Sequence, residues 1–127
     1  MPVTVLIVDD SKLARIVAGK ALAELQPEWQ KAEAGSAAQA HEVVAAQPVD
    51  VCLIDFNMAD KDGLELAGEL HAMRPDMPIA IITANIQDEI IARARAIGAA
   101  FVPKPVSADS LEAFLSGAAL RLRSAKA

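Results

Sequence analysis

Residues 51–54, Val-Cys-Leu-Ile, form a continuous apolar run that stops abruptly at a carboxylate, Asp55. Turn-forming residues follow at once: Asn57, Asp60, Asp62 and Gly63. A short apolar run without alternation, bounded by turn signals, predicts a strand buried on both faces. Such a strand belongs inside a parallel sheet with helices on each side. Its acid then stands at the carboxyl end, the edge where open parallel sheets place their ligands. Asp55 is accordingly the expected reactive group.

The rest of the chain alternates around that strand. Thr4–Val8 is the first apolar strand, β1, ending at Asp9 and Asp10. A helix, α1, is expected over Ser11–Leu25, capped by Asp10 or Ser11, with Leu13, Ile16, Val17, Lys20, Ala21 and Leu25 at helical spacing. Trp29–Ala34 is a weak strand, β2. Ser36 and Gln39 fit a capping box for α2, which buries Ala37, Ala40, Val43 and Val44 and ends before Pro48. Val51–Asp55 is β3. Leu64, Leu66, Ala67, Leu70 and Met73 mark α3, and Ile79–Ile82, ending at Thr83, is β4. Asp88–Ile97 is α4, with a Glu89–Arg93 pair one turn apart and Gly98 as terminator. Phe101 and Val102 form β5. The last helix, α5, spans Ala108 to Leu122 with Ser107 as cap, leaving 124–127 as a frayed tail. This βαβαβαβαβα order predicts one α/β domain over 1–127, ordered from about 3 to 123.

Bulk properties narrow the function. A chain of 127 residues, 54% hydrophobic and 23% charged, suits one packed core. The net charge of −5 disfavours wrapping a nucleic acid backbone. No membrane-spanning run or secretory leader is evident, so a soluble cytoplasmic protein is expected. Cys52 lies inside the apolar run and reads as a core residue. His41 and His71 show no partner pattern and read as surface residues.

The strand ends carry the chemistry. A parallel sheet brings Asp9 and Asp10, Asp55, Thr83 and Lys104 to one edge. Three adjacent carboxylates repel one another unless a cation joins them, and hard oxygen donors suit Mg²⁺. Lys104 adds a positive charge and Thr83 a hydroxyl. That set matches a phosphoryl group, whose transfer depends on positioning and charge stabilisation. A carboxylate is a competent nucleophile towards phosphorus, and Asp55 holds the central place. Each residue taken alone has a plainer reading: Asp10 or Thr83 as a helix cap, Lys104 as a solvated lysine, Phe101 as ordinary core.

In Asp9-Asp10, Asp55 with Asn57 and Met58, Gly63, Thr83-Ala84, Phe101 and Lys104-Pro105, the chain resembles a response regulator receiver domain along essentially its whole length. The run Asp55 to Leu66, with no output domain, most resembles the stand-alone chemotaxis type. The resemblance implies a flavodoxin-like doubly wound (βα)5 fold with strand order 2-1-3-4-5. It implies that Asp55 accepts a phosphoryl group from a histidine kinase or a histidine phosphotransfer protein. Asp10, Asp55 and the Asn57 carbonyl would hold Mg²⁺, with Asp9 reaching it through water. Thr83, the Ala84 amide and Lys104 would hold phosphoryl oxygens, and a cis bond is expected before Pro105. Thr83 and Phe101 would act as the switch that alters the α4-β5-α5 face for a downstream protein target. Asn57 and Asn85 stand at positions that tune phosphoryl lifetime. The implied protein is a monomer or weak homodimer. It is not an enzyme beyond its own phosphorylation and dephosphorylation, and has no nucleic acid or membrane partner.

Two positions depart from the family pattern. Ala59 stands where proline is usual, leaving the loop after Asp55 less constrained. Phe101 replaces the commoner tyrosine and has no hydroxyl to satisfy when buried. Two rival functions carry their own signatures. A Mg²⁺-dependent aspartyl phosphohydrolase needs a second acid two residues after its nucleophile, where this chain has Asn57, and a cap insertion. A phosphate-independent interaction module has no use for the intact set Asp9, Asp10, Asp55, Thr83 and Lys104.

Overall fold

Five parallel strands pair in the order β2-β1-β3-β4-β5. In the computed structural model, which describes residues 3–84 and 87–126, they are β1 Thr4–Val8, β2 Gln30–Ala34, β3 Val51–Asp55, β4 Ile79–Thr83 and β5 Ala100–Pro103. The register sets Val8 beside Ile54 and Ala34, Asp55 beside Ile82, and Thr83 beside Pro103. Five helices cross between them: α1 Lys12–Leu25, α2 Ala37–Ala46, α3 Gly63–Met73, α4 Asp88–Ala96 and α5 Ala108–Lys126. This is the doubly wound fold with order 2-1-3-4-5 that the sequence implies.

The central strands β3 and β4 are buried at every residue. Alternation divides their side chains between two cores. Cys52, Ile54, Ile79 and Ile81 pack under α2, α3 and α4 with Leu66, Leu70, Ile90 and Ala94. Val51, Leu53, Ala80 and Ile82 pack under α1 and α5 with Leu22, Leu111 and Leu115. Cys52 lies in the first core, where burial pushes its thiol up to about 12, and its Sγ contacts the Met77 sulfur. It is a packing residue, as read.

Side-chain caps start most of the helices. Ser11, rather than Asp10, caps α1 by accepting from the Ala14 amide. Ser36 accepts from Gln39 N–H, and Gln39 Oε1 reaches back to accept from Gly35 N–H at 2.6 Å, one residue before the cap, a variant of the expected capping box. Asp62 caps α3 through the Glu65 amide, and Ser107 accepts from Ser110 N–H at the start of α5.

Three expectations are corrected. The buried side of α1 is Ala18, Ala21 and Leu22, whereas Leu13 is 71% exposed and Ile16 and Val17 also face outwards. The small alanines let α1 lie close to the sheet and α5, so the helix is rotated from the stripe its larger residues suggest. The last helix runs past Leu122 to Lys126, across most of the expected tail. Arg93 does not pair with Glu89 among the described residues. Its guanidinium lies 3.8 Å from Asp62 in the loop after β3.

Candidate functional site

The strand ends converge as parallel topology requires. Asp9, Asp10 and Asp55 each offer a carboxylate oxygen within 4.8 Å of the others. Asp9 is held by local bonding: its Oδ1 accepts from Ser11 N–H at 2.9 Å, and its N–H donates to Ala34 O across the sheet. Because Ser11 takes the capping role, Asp10 is left exposed on the rim of the cluster. Asp55 is only 3% exposed.

Lys104 reaches in from the loop after β5. Its Nζ lies 2.7 Å from Asp55 Oδ1, with the lysine side chain 35% exposed. The loop is tied to the sheet by a bond from Lys104 N–H to Thr83 O, and the Lys104–Pro105 peptide is cis. Burial pushes the Asp55 carboxyl above its ordinary range. Lys104 opposes that shift, while the charges of Asp9 and Asp10 reinforce it.

Lys104 Nζ, at 2.7 Å, is the one cation paired with the buried Asp55 Oδ1 among the described residues. One ammonium offsets one of three clustered carboxylates, and the surplus of negative oxygen donors fits a hard divalent cation. The donor set therefore suits Mg²⁺.

The remaining expected residues fall around this group. Thr83 is fully buried at the end of β4, and Ala84 follows it exposed. Asn57 is exposed in the loop after β3, with Met58 packed against the α2-α3-α4 core. Phe101 is half-buried against that same core. Asn85 lies outside the described residues.

Several residues of the β3-α3 loop do more than sequence reasoning assigned. Asp60 Oδ1 accepts from Ala37 N–H and Oδ2 from Ala38 N–H, both at 3.2 Å. Lys61 Nζ lies 2.5 Å from Glu69, which also meets His41 Nε2 at 2.7 Å. His41, partly exposed as a surface residue, nevertheless has a partner that the sequence pattern did not suggest. These ties join residues 20 or more positions apart or bridge different elements, so no local motif announces them. Gly63 allows the loop to close: a Cβ there would lie 2.3 Å from the Asp55 carbonyl oxygen.

A family model described as the response regulator receiver domain matches residues 5–116. Response regulator protein PilR of Pseudomonas aeruginosa is 32% identical over 123 residues, which is 96% of this chain and 27% of that protein. Transcriptional regulatory protein PdtaR of Mycobacterium tuberculosis is 33% identical over 124 residues, 97% of this chain and 60% of that one. The chain thus spans less than two thirds of the length of either relative. Among solved structures, a CheY-like response regulator receiver domain protein from Methanospirillum hungatei superposes with a TM-score of 0.87 at 23% identity. The match covers 98% of this chain and 99% of that one. The chemotaxis response regulator CheY4 of Vibrio cholerae gives 0.81 at 23% identity, over 93% and 99%. At that identity the likeness is one of fold. No helix among the described residues is long and apolar enough to cross a membrane. With the family model spanning all five strands and relatives a third identical along the chain, this protein belongs to the response regulator receiver domains, the signalling switches of two-component systems.

Proposed function

We propose that Asp55 is the phosphoacceptor and takes its phosphoryl group from a phosphohistidine on a histidine kinase or histidine phosphotransfer protein. The observation that carries this reading is the buried Asp55 carboxylate. Its Oδ1 lies 2.7 Å from Lys104 Nζ, and it offers an oxygen within 4.8 Å of those of two further acids. Burial raises the energy of the carboxylate and strips water from it, which favours attack on phosphorus over idle solvation.

Asp9, Asp10, Asp55 and the Asn57 carbonyl would hold Mg²⁺, which when bound supplies positive charge against the anionic phosphoryl oxygens. Lys104 holds one of those oxygens as a fixed cation. Thr83 and the Ala84 amide donate to another. Once the Asp55 oxygen has bonded to phosphorus and the P–N bond to the donor imidazole has broken, Asp55 is an acyl phosphate whose negative charge lies outward on the phosphoryl oxygens, and Lys104 and Thr83 are drawn after it. Phe101 lies on the α4 side of the sheet and follows Thr83 inward, changing the α4-β5-α5 face that a downstream protein reads. Phosphorylation in these terms shifts a two-state equilibrium by binding one state better. The domain acts in the cytoplasm, on itself rather than on a released substrate.

The test is intact-mass spectrometry after incubation with acetyl phosphate and Mg²⁺. One phosphoryl adduct on the wild type and none on Asp55→Asn is the expected outcome. Adducts on both proteins would mean that another residue is the nucleophile. No adduct on either, with Mg²⁺ binding shown separately, would favour a phosphate-independent interaction module.

A further inference from the structure

The loop from Phe56 to Asp62 contains Asn57, whose carbonyl is proposed above as a Mg²⁺ ligand, yet Ala59 gives it none of the stiffness of a proline. Its first residue is fixed to the sheet, with Phe56 N–H donating to Ile82 O at 2.9 Å, and its end is pinned where Gly63 N–H meets Phe56 O at 2.8 Å. Between those points, the backbone is held from outside. Asp60 extends both carboxylate oxygens across to α2, one to Ala37 N–H and one to Ala38 N–H.

Those bonds are not the cap that α2 needs to begin. The helix already has Ser36 on the Gln39 amide and Gln39 on the Gly35 amide. Asp60 takes the amides of the first two helical residues, and a carboxylate there also faces the positive end of the helix dipole. The two backbone bonds hold its carboxyl below the ordinary aspartate range. The loop gains a two-point anchor on a rigid element three residues beyond Asn57.

We infer that Asp60 is a positioning residue for the metal and phosphoryl site: by clamping the loop to the first turn of α2 it fixes the Asn57 carbonyl, supplying the order that proline gives at position 59 elsewhere in the family. This rests on the reading of Asp9, Asp10 and Asp55 as a Mg²⁺ site. Groups that orient a metal's ligands typically change affinity 10–100-fold when removed. One Asp60 bond is part-buried and the other exposed, so the effect sits at the low end.

Isothermal titration with Mg²⁺, with no phosphodonor present, tests the role in the wild type, Asp60→Ala, Asp60→Asn and the double variant Asp60→Ala/Ala59→Pro. Urea melts of each protein report folding alongside. The expected result is Mg²⁺ affinity weakened about tenfold in Asp60→Ala. Asp60→Asn, which keeps one accepting oxygen, falls between. The double variant recovers most of the loss, because proline restores loop order without restoring charge. If Asp60→Ala binds Mg²⁺ as the wild type does while losing only stability, Asp60 is a helix cap and the inference fails. If Asp60→Asn binds as weakly as Asp60→Ala and proline restores nothing, the effect is one of charge, which also overturns it. Absence of Mg²⁺ binding by the folded wild type would overturn the metal site itself, and the positioning role with it.

Discussion

Replacing Gly63 by alanine should unfold the turn on which the acid cluster depends. The added Cβ would stand 2.3 Å from the Asp55 carbonyl oxygen and 2.9 Å from both the Asp55 carbonyl carbon and the Phe56 Cα. All three are backbone atoms, so no rotamer change relieves the clash. Reaching ordinary contact requires α3 and the end of β3 to part by about 1 Å. That movement stretches the Gly63–Phe56 bond of 2.8 Å and disturbs Phe56 N–H on Ile82 O. Overpacking a core in this way costs about 1–3 kcal/mol, and the upper figure applies where only backbone can yield. For a domain of this size, a loss of about 3 kcal/mol lowers Tm by about 10 °C. Gly68→Ala and Gly117→Ala are the matched controls. Both lie inside helices with nothing within 4 Å of the added carbon. Better helix propensity should raise their stability by about 0.5–1 kcal/mol. Urea melts followed by circular dichroism, with the slope m unchanged, measure all three. A Gly63→Ala protein as stable as the wild type, in a series where the controls behave as expected, would refute the close approach of α3 to Asp55.

In metal-free protein, Asp55→Asn should raise Tm by about 2–5 °C at neutral pH by removing a buried, crowded charge. Because the folded Asp55 holds its proton more tightly than an ordinary aspartate near 3.8, wild-type stability falls as pH rises from that value through the folded pKa. The advantage of Asp55→Asn should therefore vanish below that window; thermal melts in chelator from acid to neutral pH show whether it does. Mg²⁺ at about a hundred times its dissociation constant should stabilise the wild type by roughly 2.7 kcal/mol, and a flat thermal-shift titration would discredit the donor set. Lys104→Ala leaves Asp55 without its cation and should destabilise the metal-free fold by about 1 kcal/mol, discounted for the partly exposed ammonium; equal urea midpoints would sink that expectation. Leu13→Lys should shift stability by less than about 0.5 kcal/mol because the side chain lies in solvent, whereas a loss of 2 kcal/mol or more in the same melts would restore it to the core.

The sheet was legible because its inner strands are unbroken apolar runs, and the site because each run stops at a polar residue. β2 was faint for a physical reason. It is an edge strand reading Gln-Lys-Ala-Glu-Ala, with Ala34 its one buried residue. Lys31 and Glu33 pair in solvent, and Arg15 joins them from α1. The inward side of α1 was misread because alanines pack closely yet weigh little in any hydrophobic pattern, so Leu13, Ile16 and Val17 dominated it. Asp60, Lys61 and His41 were missed because their partners are set by how loops and helices meet, not by spacing along the chain. Within the site, the sequence named the strand-end groups, while their separations follow from register and from the course of the loop after β5.

The division of the interior into two cores has a consequence for how such a domain can diversify. Residues 51, 53 and 55 share one side of β3 by alternation, the side covered by α1 and α5. Residues 79, 81 and 83 of β4 fall on the other, the side covered by α2, α3 and α4, where Phe101 also packs. The acid therefore belongs to one half of the molecule and the hydroxyl and aromatic ring to the other, with the sheet as a partition between them. Substitutions on the outer face of α4 can alter what a partner sees while leaving Val51, Leu53 and the α1 and α5 residues packed with them unchanged. One unchanged reaction can in this way be wired to many different outputs.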